Sequence, residues 1–192
     1  MEYAADTDLA GLTQPRETLE LEDFTSLVMR YRPAVFRFLL FSLRDRDAAE
    51  TLTQECFLKA YSARQSFRGD SKVRTWLMRI ALNLSRDHTR NRRLQFWRNT
   101  QAASAGFSDL SESVADRGTS QEAALLAKEQ VRAVWAVTDG LSERQRAVFL
   151  LRFVEDLDLL EIAEVTGLKE GTVKAHLFRA IDAIRKRLKG AI

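Results

Sequence analysis

Cysteine is nearly absent from this chain: Cys56 stands alone in 192 residues. One cysteine excludes an internal disulfide and any cysteine-cluster zinc site. The two histidines, His88 and His176, lie far apart and lack metal-ligand spacing. Only 2 Pro and 8 Gly punctuate the sequence, and β-branched residues rarely alternate with polar ones, so strand signals are few. No apolar run approaches the roughly 20 residues that a membrane span needs, and the N-terminus lacks the basic start and apolar core of a signal peptide. A cytoplasmic, cofactor-free protein with no membrane insertion is expected. No nucleophile–base pair, Gly-rich phosphate loop or metal cluster marks an enzyme. Apolar residues at 45% and charged residues at 30% are plentiful, which suits one or two small packed domains.

A net charge of +3 is too small, as a total, to suggest nucleic acid. Its distribution says otherwise. Residues 67–98 carry net +7 and residues 171–192 net +5, while 1–66, 99–140 and 141–170 each carry net −3. Basic blocks of this kind can neutralise phosphates, although a basic run alone is also what a solvated face looks like.

Helical periodicity dominates the chain and predicts an all-α protein. Residues 1–20 have no sustained period and read as a flexible tail. A helix is expected from Glu22 to Leu43 on the stripe Phe24, Leu27, Val28, Tyr31, Val35 and Phe38, with Pro33 kinking it or marking a restart. A second runs to Gln65 with Leu52, Cys56, Phe57 and Ala60 inward, capped by Asp47 with Glu50 completing a box. After a turn at 67–71, a third carries Val73, Trp76, Leu77, Ile80, Ala81, Leu84 and His88 on one face and most of the first basic block on the others. Residues 99–120 are rich in Ser, Ala, Gly and Thr and read as a linker between two small helical domains. Helical period resumes over 121–137, then from a Ser142 cap with Gln145 as its box partner, then over Leu159–Val165, and last from Glu170 to Lys189.

The last two of these helices, with Gly167 in the turn between them, make a helix-turn-helix pattern. Ala163 is small where the helices must approach, and Gly167 can take the left-handed conformation that ends the first. Val173 and Leu177 anchor the second helix, leaving Thr172, Lys174, Ala175, His176, Phe178 and Arg179 outward. In this motif those early turns enter the major groove. Lys174 and Arg179 can bind phosphate or a guanine edge; Ala175 and the Thr172 methyl can meet a thymine methyl. The bland alternative is a packed helical hairpin.

Residues 47–61, DAAETLTQECFLKAY, followed by FRGDSKVRTWLMRIALNLSRDHTR at 67–90, resemble region 2 of the extracytoplasmic-function (ECF) sigma factors, group 4 of the sigma-70 family. Residues 141–188 resemble their region 4. The GTVKAHL segment alone also resembles response-regulator output domains, so the order of the two motifs carries the specificity.

The resemblance implies an RNA polymerase sigma factor with an N-terminal tail at 1–20, region 2 at 21–98, a linker at 99–120 and region 4 at 121–192. Its partners would be promoter DNA and core RNA polymerase, met at the β′ clamp helices and the β flap. The clamp-binding face falls on Asp47, Glu50, Gln54 and Glu55, which otherwise read as a solvated capping face. Opening of the −10 element falls on Phe67, Ile80 and Asn83 as a pocket for a flipped base, and on Lys72, Arg74, Arg79, Arg86 and Arg90 as phosphate contacts. Phe67 also reads as a hydrophobic staple, and Trp76 as core. Arg92, Arg93 and Arg98 would track upstream duplex. The −35 element would be read by Thr172, Lys174, Ala175, His176, Phe178 and Arg179. Asp109, Glu112 and Asp116 would suit a linker path through the polymerase, or sit on a plain tether.

Three positions depart from the family pattern. Thr51 stands where a carboxylate is common, so either a neutral residue is tolerated or a Ser/Thr kinase restores the charge by phosphorylation. Lys169 replaces a small capping residue, and Ala175 a common hydroxyl residue, which points to a different −35 preference. Family members are often held by an anti-sigma factor. The competing class is a polymerase-independent DNA-binding regulator, which leaves the 67–90 block without a role.

Overall fold

The computed structural model describes residues 21–67, 69, 71–102 and 121–190, with side chains omitted at 21–23, 94–102, 121–128 and 188–190. The expected tail at 1–20, most of the linker with Asp109, Glu112 and Asp116, and the Arg98 side chain lie outside it. The described residues form seven α-helices: α1 (Leu21–Leu43), α2 (Arg46–Ala63), α3 (Val73–Ala102), α4 (Gln121–Thr138), α5 (Glu143–Phe153), α6 (Leu159–Thr166) and α7 (Glu170–Gly190). A 3₁₀ turn, Arg64–Ser66, closes α2. α3 runs through 99–102, which the composition assigned to the linker.

α1, α2 and α3 pack on one another around Phe24, Leu27, Val35, Phe38, Leu52, Cys56, Phe57, Ala60, Leu77 and Ala81. These are the periodic apolar positions of each helix, which must leave water together. Pro33 neither breaks nor restarts α1, which is unbroken from Leu21 to Leu43. Pro33 is exposed, and so is Met29, whose carbonyl loses its helical donor, so water can satisfy that oxygen.

The cap of α2 is Asp45, not Asp47. Its carboxylate accepts the Ala48 N–H at 3.0 Å from an extended backbone at φ −140°. Asp47 sits in the first turn, where the helix dipole favours a carboxylate, and Glu50 turns to Arg32. Farther along, Ser142 caps α5 with Gln145 completing the box as expected. Asp158 and Glu161 make a second capping box on α6.

α5, α6 and α7 form the second cluster, centred on Val148, Leu150, Leu151, Leu157, Ile162, Val165 and Val173. α6 ends at Gly167, whose φ of 69° is the left-handed geometry that lets α7 turn away.

The two clusters are not apart. α3 packs on α6 and α1 on α5. Burial also extends beyond a single stripe per helix, to Leu39, Leu40 and Phe41 on α1 and to Thr75, Met78, Leu82 and Ser85 on α3, and Leu82 and Ser85 line a cleft with Leu141 and Ala147 of the second cluster.

Candidate nucleic-acid interface

On α7, the positions assigned to the −35 element divide by exposure. Thr172, Lys174, Ala175, Phe178 and Arg179 are exposed, and Phe178 is 73% so, unusual for a phenylalanine without a partner. His176 is half-buried, with Nδ1 enclosed and unpartnered. Val173 and Ala180 are fully buried, and half-buried Leu177 packs on the core, so the helix is anchored by its inner face as expected. Lys174 pairs with Glu170 at 2.6 Å across one turn, an exposed link that phosphate can replace. Arg179 has no hydrogen-bond or ion-pair partner among the described residues. α7 starts at Glu170, directly after Lys169, whose carbonyl accepts the Thr172 N–H at 2.8 Å and the Val173 N–H at 3.1 Å.

On α3, the assigned residues are differently placed. Phe67 is half-buried against Trp76, their ring centroids 4.9 Å apart. Trp76 is thus only partly core and forms one wall of an aromatic surface with Phe67. Ile80 is half-buried on the core and Asn83 is exposed one turn further on. Phe67 lies before α3, and Ile80 and Asn83 lie in its second and third turns; an aromatic, an aliphatic and an amide group are thus present, without a hydrogen bond or ring contact between any two of them. Arg86 lines an arginine-rich cleft with Arg90, Arg93 and Arg144; Arg90 also pairs with Asp87 at 2.9 Å.

The other three cations of this face are engaged by the second cluster. Lys72 pairs with Glu161 at 2.8 Å, which raises the lysine's pKa above its ordinary value through that hydrogen bond. Arg79 donates through Nε to the Glu164 carbonyl at 2.9 Å. Arg74 meets Glu155, through Oε2 at 3.3 Å and through the backbone carbonyl. Glu155 is completely buried and also takes a two-pronged pair from Arg37, both bonds 2.9 Å long. Nothing in the periodicity singled out Arg37, Glu155, Glu161 or Glu164. The one available signal was arithmetic: a net −3 block at 141–170 matches a net +7 block at 67–98.

The residues assigned to polymerase lie on α2. Asp47 and Gln54 are exposed; Glu50 is half-buried beside Arg32, and Glu55 pairs with Lys59 at 3.1 Å. Thr51 is exposed, its hydroxyl donating to the Asp47 carbonyl at 2.9 Å. Cys56 is buried on the opposite face, its thiol pushed up to about 12 by burial first and the Glu55 charge second. A thiol so protonated is a packing residue and not a nucleophile. Among the described residues no group of His, Cys, Asp and Glu could hold a metal, and no helix is long and apolar enough to cross a membrane.

Comparison with known proteins reaches both clusters. Residues 27–95 match the family model of Sigma-70 region 2, and residues 132–184 that of Sigma-70, region 4. The chain is 35% identical over 168 residues to the RNA polymerase sigma-H factor of Pseudomonas aeruginosa, covering 86% of each. It is 31% identical over 167 residues to the ECF RNA polymerase sigma factor SigW of Bacillus subtilis, covering 86% of this chain and 89% of that one. Its fold is similar to the sigma factor RpoE of Bartonella quintana solved with the anti-sigma factor NepR, with a TM-score of 0.69 at 22% identity over 88% of this chain and 98% of that one. It is also similar to CnrH solved with the cytosolic domain of CnrY, with a TM-score of 0.66 at 22% identity over 89% and 90%. An all-helical chain with region 2 on α1–α3, region 4 on α4–α7 and these relatives is a non-catalytic subunit that binds core RNA polymerase and DNA to direct transcription initiation, and it belongs to the ECF sigma factors of the sigma-70 family.

Proposed function

We propose that this sigma factor reads the −35 element with Thr172, Lys174, Ala175, His176, Phe178 and Arg179, and opens the −10 element with Phe67, Ile80 and Asn83. Lys72, Arg74, Arg79, Arg86 and Arg90 hold the separated strand, and Arg92 and Arg93 follow the duplex upstream. The observation that carries this is the open outer face of α7, five of whose six assigned side chains are exposed beyond a left-handed Gly167 turn. Domain limits at 1–20, 21–98, 99–120 and 121–192 go with it, with the end of α3 reaching to Ala102 inside the third of these segments. Site of action would be the cytoplasm, where the promoter is.

Asp47, Glu50, Gln54 and Glu55 present α2 to the β′ clamp helices, while region 4 meets the β flap through an apolar surface that includes exposed Phe153 and Leu160. The linker acids Asp109, Glu112 and Asp116 line its path through the polymerase. Thr51, exposed in the second turn of α2, accepts phosphate from a kinase, adding charge beside Asp47 and Glu55. An anti-sigma factor is a further partner, as in the relative whose structure holds one.

Reconstituted holoenzyme tests the reading. Asn83→Ala alters preference among −10 sequences in a promoter library while core binding stays at the wild-type level; loss of core binding makes Asn83 structural. Thr51→Glu binds core more tightly than Thr51→Ala, and equal binding and transcription remove the kinase from the scheme.

A further inference from the structure

We propose that the cleft between α1, α3 and the start of α5 is a binding site for a small phosphate-bearing anion, free or esterified. The cleft is a cavity of about 290 Å³. Its polar walls are Ser42 of α1, Arg92 and Arg93 of α3, and Ser142, Glu143 and Arg146 at the start of α5. Leu82 and Leu141, both buried, give it an apolar floor. Three guanidinium groups thus face one carboxylate. An apolar surface with a few polar groups that fix orientation is the make-up of a small-molecule site.

The walls lack acceptors. The Ser42 hydroxyl and the Arg146 Nε are enclosed and have no hydrogen-bond partner. A guanidinium N–H only donates, so Arg146 requires an oxygen there. Among the described residues its one hydrogen bond runs from Nη2 to the Leu141 carbonyl at 3.4 Å, beyond the usual length of such a bond. Burial first, and the Arg44 charge second, pull its pKa below the ordinary value, against the Asp139 and Glu143 charges. Asp139 is already shared by Arg44 and Arg187. Arg93 has no ion-pair partner among the described residues, and Arg92 has only Asp45, at 3.9 Å. The Ser142 Oγ accepts the Gln145 N–H at 3.4 Å and keeps its own proton free to donate.

Phosphate answers these groups. It carries a charge of about −1.5 to −2 near neutral pH and three acceptor oxygens, and planar guanidinium forks match its oxygens in pairs. The excess of cations over Glu143 suits a dianion, and the N-terminus of α5 adds its dipole. The cavity has the volume of about ten waters, which leaves room for a small organic remainder against Leu82 and Leu141 but not for a DNA duplex. The promoter reading gives Arg92 and Arg93 to the upstream duplex. Ser42 and Arg146 belong to no promoter or polymerase face, so the pocket goes beyond that reading. Its walls come from both regions, and a bound anion stabilises the folded chain by mass action.

The test titrates the full chain with inorganic phosphate and with glycerol phosphate at constant ionic strength, with chloride and glycerol as blanks. Calorimetry reads the affinity and thermal melts read the stability. One saturable site and a raised melting temperature are expected. Arg146→Gln should weaken binding by on the order of tenfold or more, the loss of a charge-assisted hydrogen bond. Ser42→Ala should weaken it about threefold, while its melt without phosphate stays at or above wild type, because the unpartnered hydroxyl adds nothing there. Tighter binding of glycerol phosphate makes the ligand an ester, and equal affinity makes it free phosphate. No saturation at millimolar probe means that water alone fills the cavity, and overturns the site. Binding undiminished in both variants places the anion elsewhere and overturns it too. Should Arg146→Gln melt region 4, Ser42→Ala decides alone. A matching loss of affinity for duplex DNA in Ser42→Ala makes the cleft a DNA contact and overturns the small-molecule site.

Discussion

On α7, Arg179 has no partner among the described residues and Thr172 and Phe178 face solvent; on α3 and just before it, Lys72, Arg74 and Arg79 each hold an oxygen of region 4. Both faces are basic blocks on amphipathic helices, and both are assigned to promoter DNA. The first has only the Lys174–Glu170 pair within its own helix, whereas three cations of the second are tied to region 4. The difference follows from what each face lies against. α7 packs its apolar stripe on α5 and α6 and turns its charges outward. α3 packs on α2 and α1 with one side and on α6 with another, which brings Arg74 to Glu155 in the turn after α5, and Lys72 and Arg79 to Glu161 and Glu164 of α6.

The largest expected effect is at the occupied face. Glu155→Ala removes the buried acceptor of Arg37 and Arg74 and leaves both partly exposed cations to water, at a cost of about 1.5–3 kcal/mol for the lost charge-assisted hydrogen bonds, read as a shift in the urea midpoint. Arg74→Ala should lower both folding stability and strand binding, because its side chain serves both. Arg179→Ala sharpens the contrast: folding stability stays at wild type while −35 affinity falls by about 1–3 kcal/mol if the guanidinium reads a base. An equal loss on unrelated duplexes makes it a phosphate contact, and a fall in stability breaks the contrast itself.

Smaller effects probe the rest of the interface. Asp139 joins the regions through Arg44, at 3.0 Å, and meets Arg187 of α7 at 3.2 Å. The Arg44 hydrogen bond first, and the Arg187 bond second, hold its carboxyl below the ordinary carboxylate range. A carboxyl depressed in the folded state stabilises it above the unfolded pKa, and that contribution disappears as pH falls through the folded one. Asp139→Asn should therefore narrow the stability difference between neutral and acid pH, seen in melts below about pH 4. Least of all should change at Cys56, whose thiol, at about 12, stays protonated at neutral pH. Iodoacetamide should modify it only as fast as the chain unfolds; rapid labelling of the native chain would mean that the α2–α3 packing opens readily.

Much of the fold, and the outward face of α7, is legible in the residues alone. The stripe from Val73 through Leu84 places α3, Ser142 and Gln145 place the start of α5, and Gly167 places the turn of the helix-turn-helix, because each is a local requirement of backbone geometry or helical period. The α2 cap slips by two residues because Asp45 and Asp47 carry the same group, and only backbone dihedrals tell which one is extended. Pro33 fails to interrupt α1 because the carbonyl it frees lies toward solvent.

The charge pattern shows where local reading ends. Sequence by itself determined that two cationic helices exist, that one belongs to a helix-turn-helix, and that acidic stretches surround them. Those facts need only composition and period. It assigned the cancelling charges to surfaces meeting different partners. Only the tertiary structure decided that the −3 block at 141–170 sits against the +7 block at 67–98. Contacts 81 and 118 residues apart, Arg74 and Arg37 to Glu155, leave no mark on either local sequence. They arise when two apolar faces pack and carry their charges into reach.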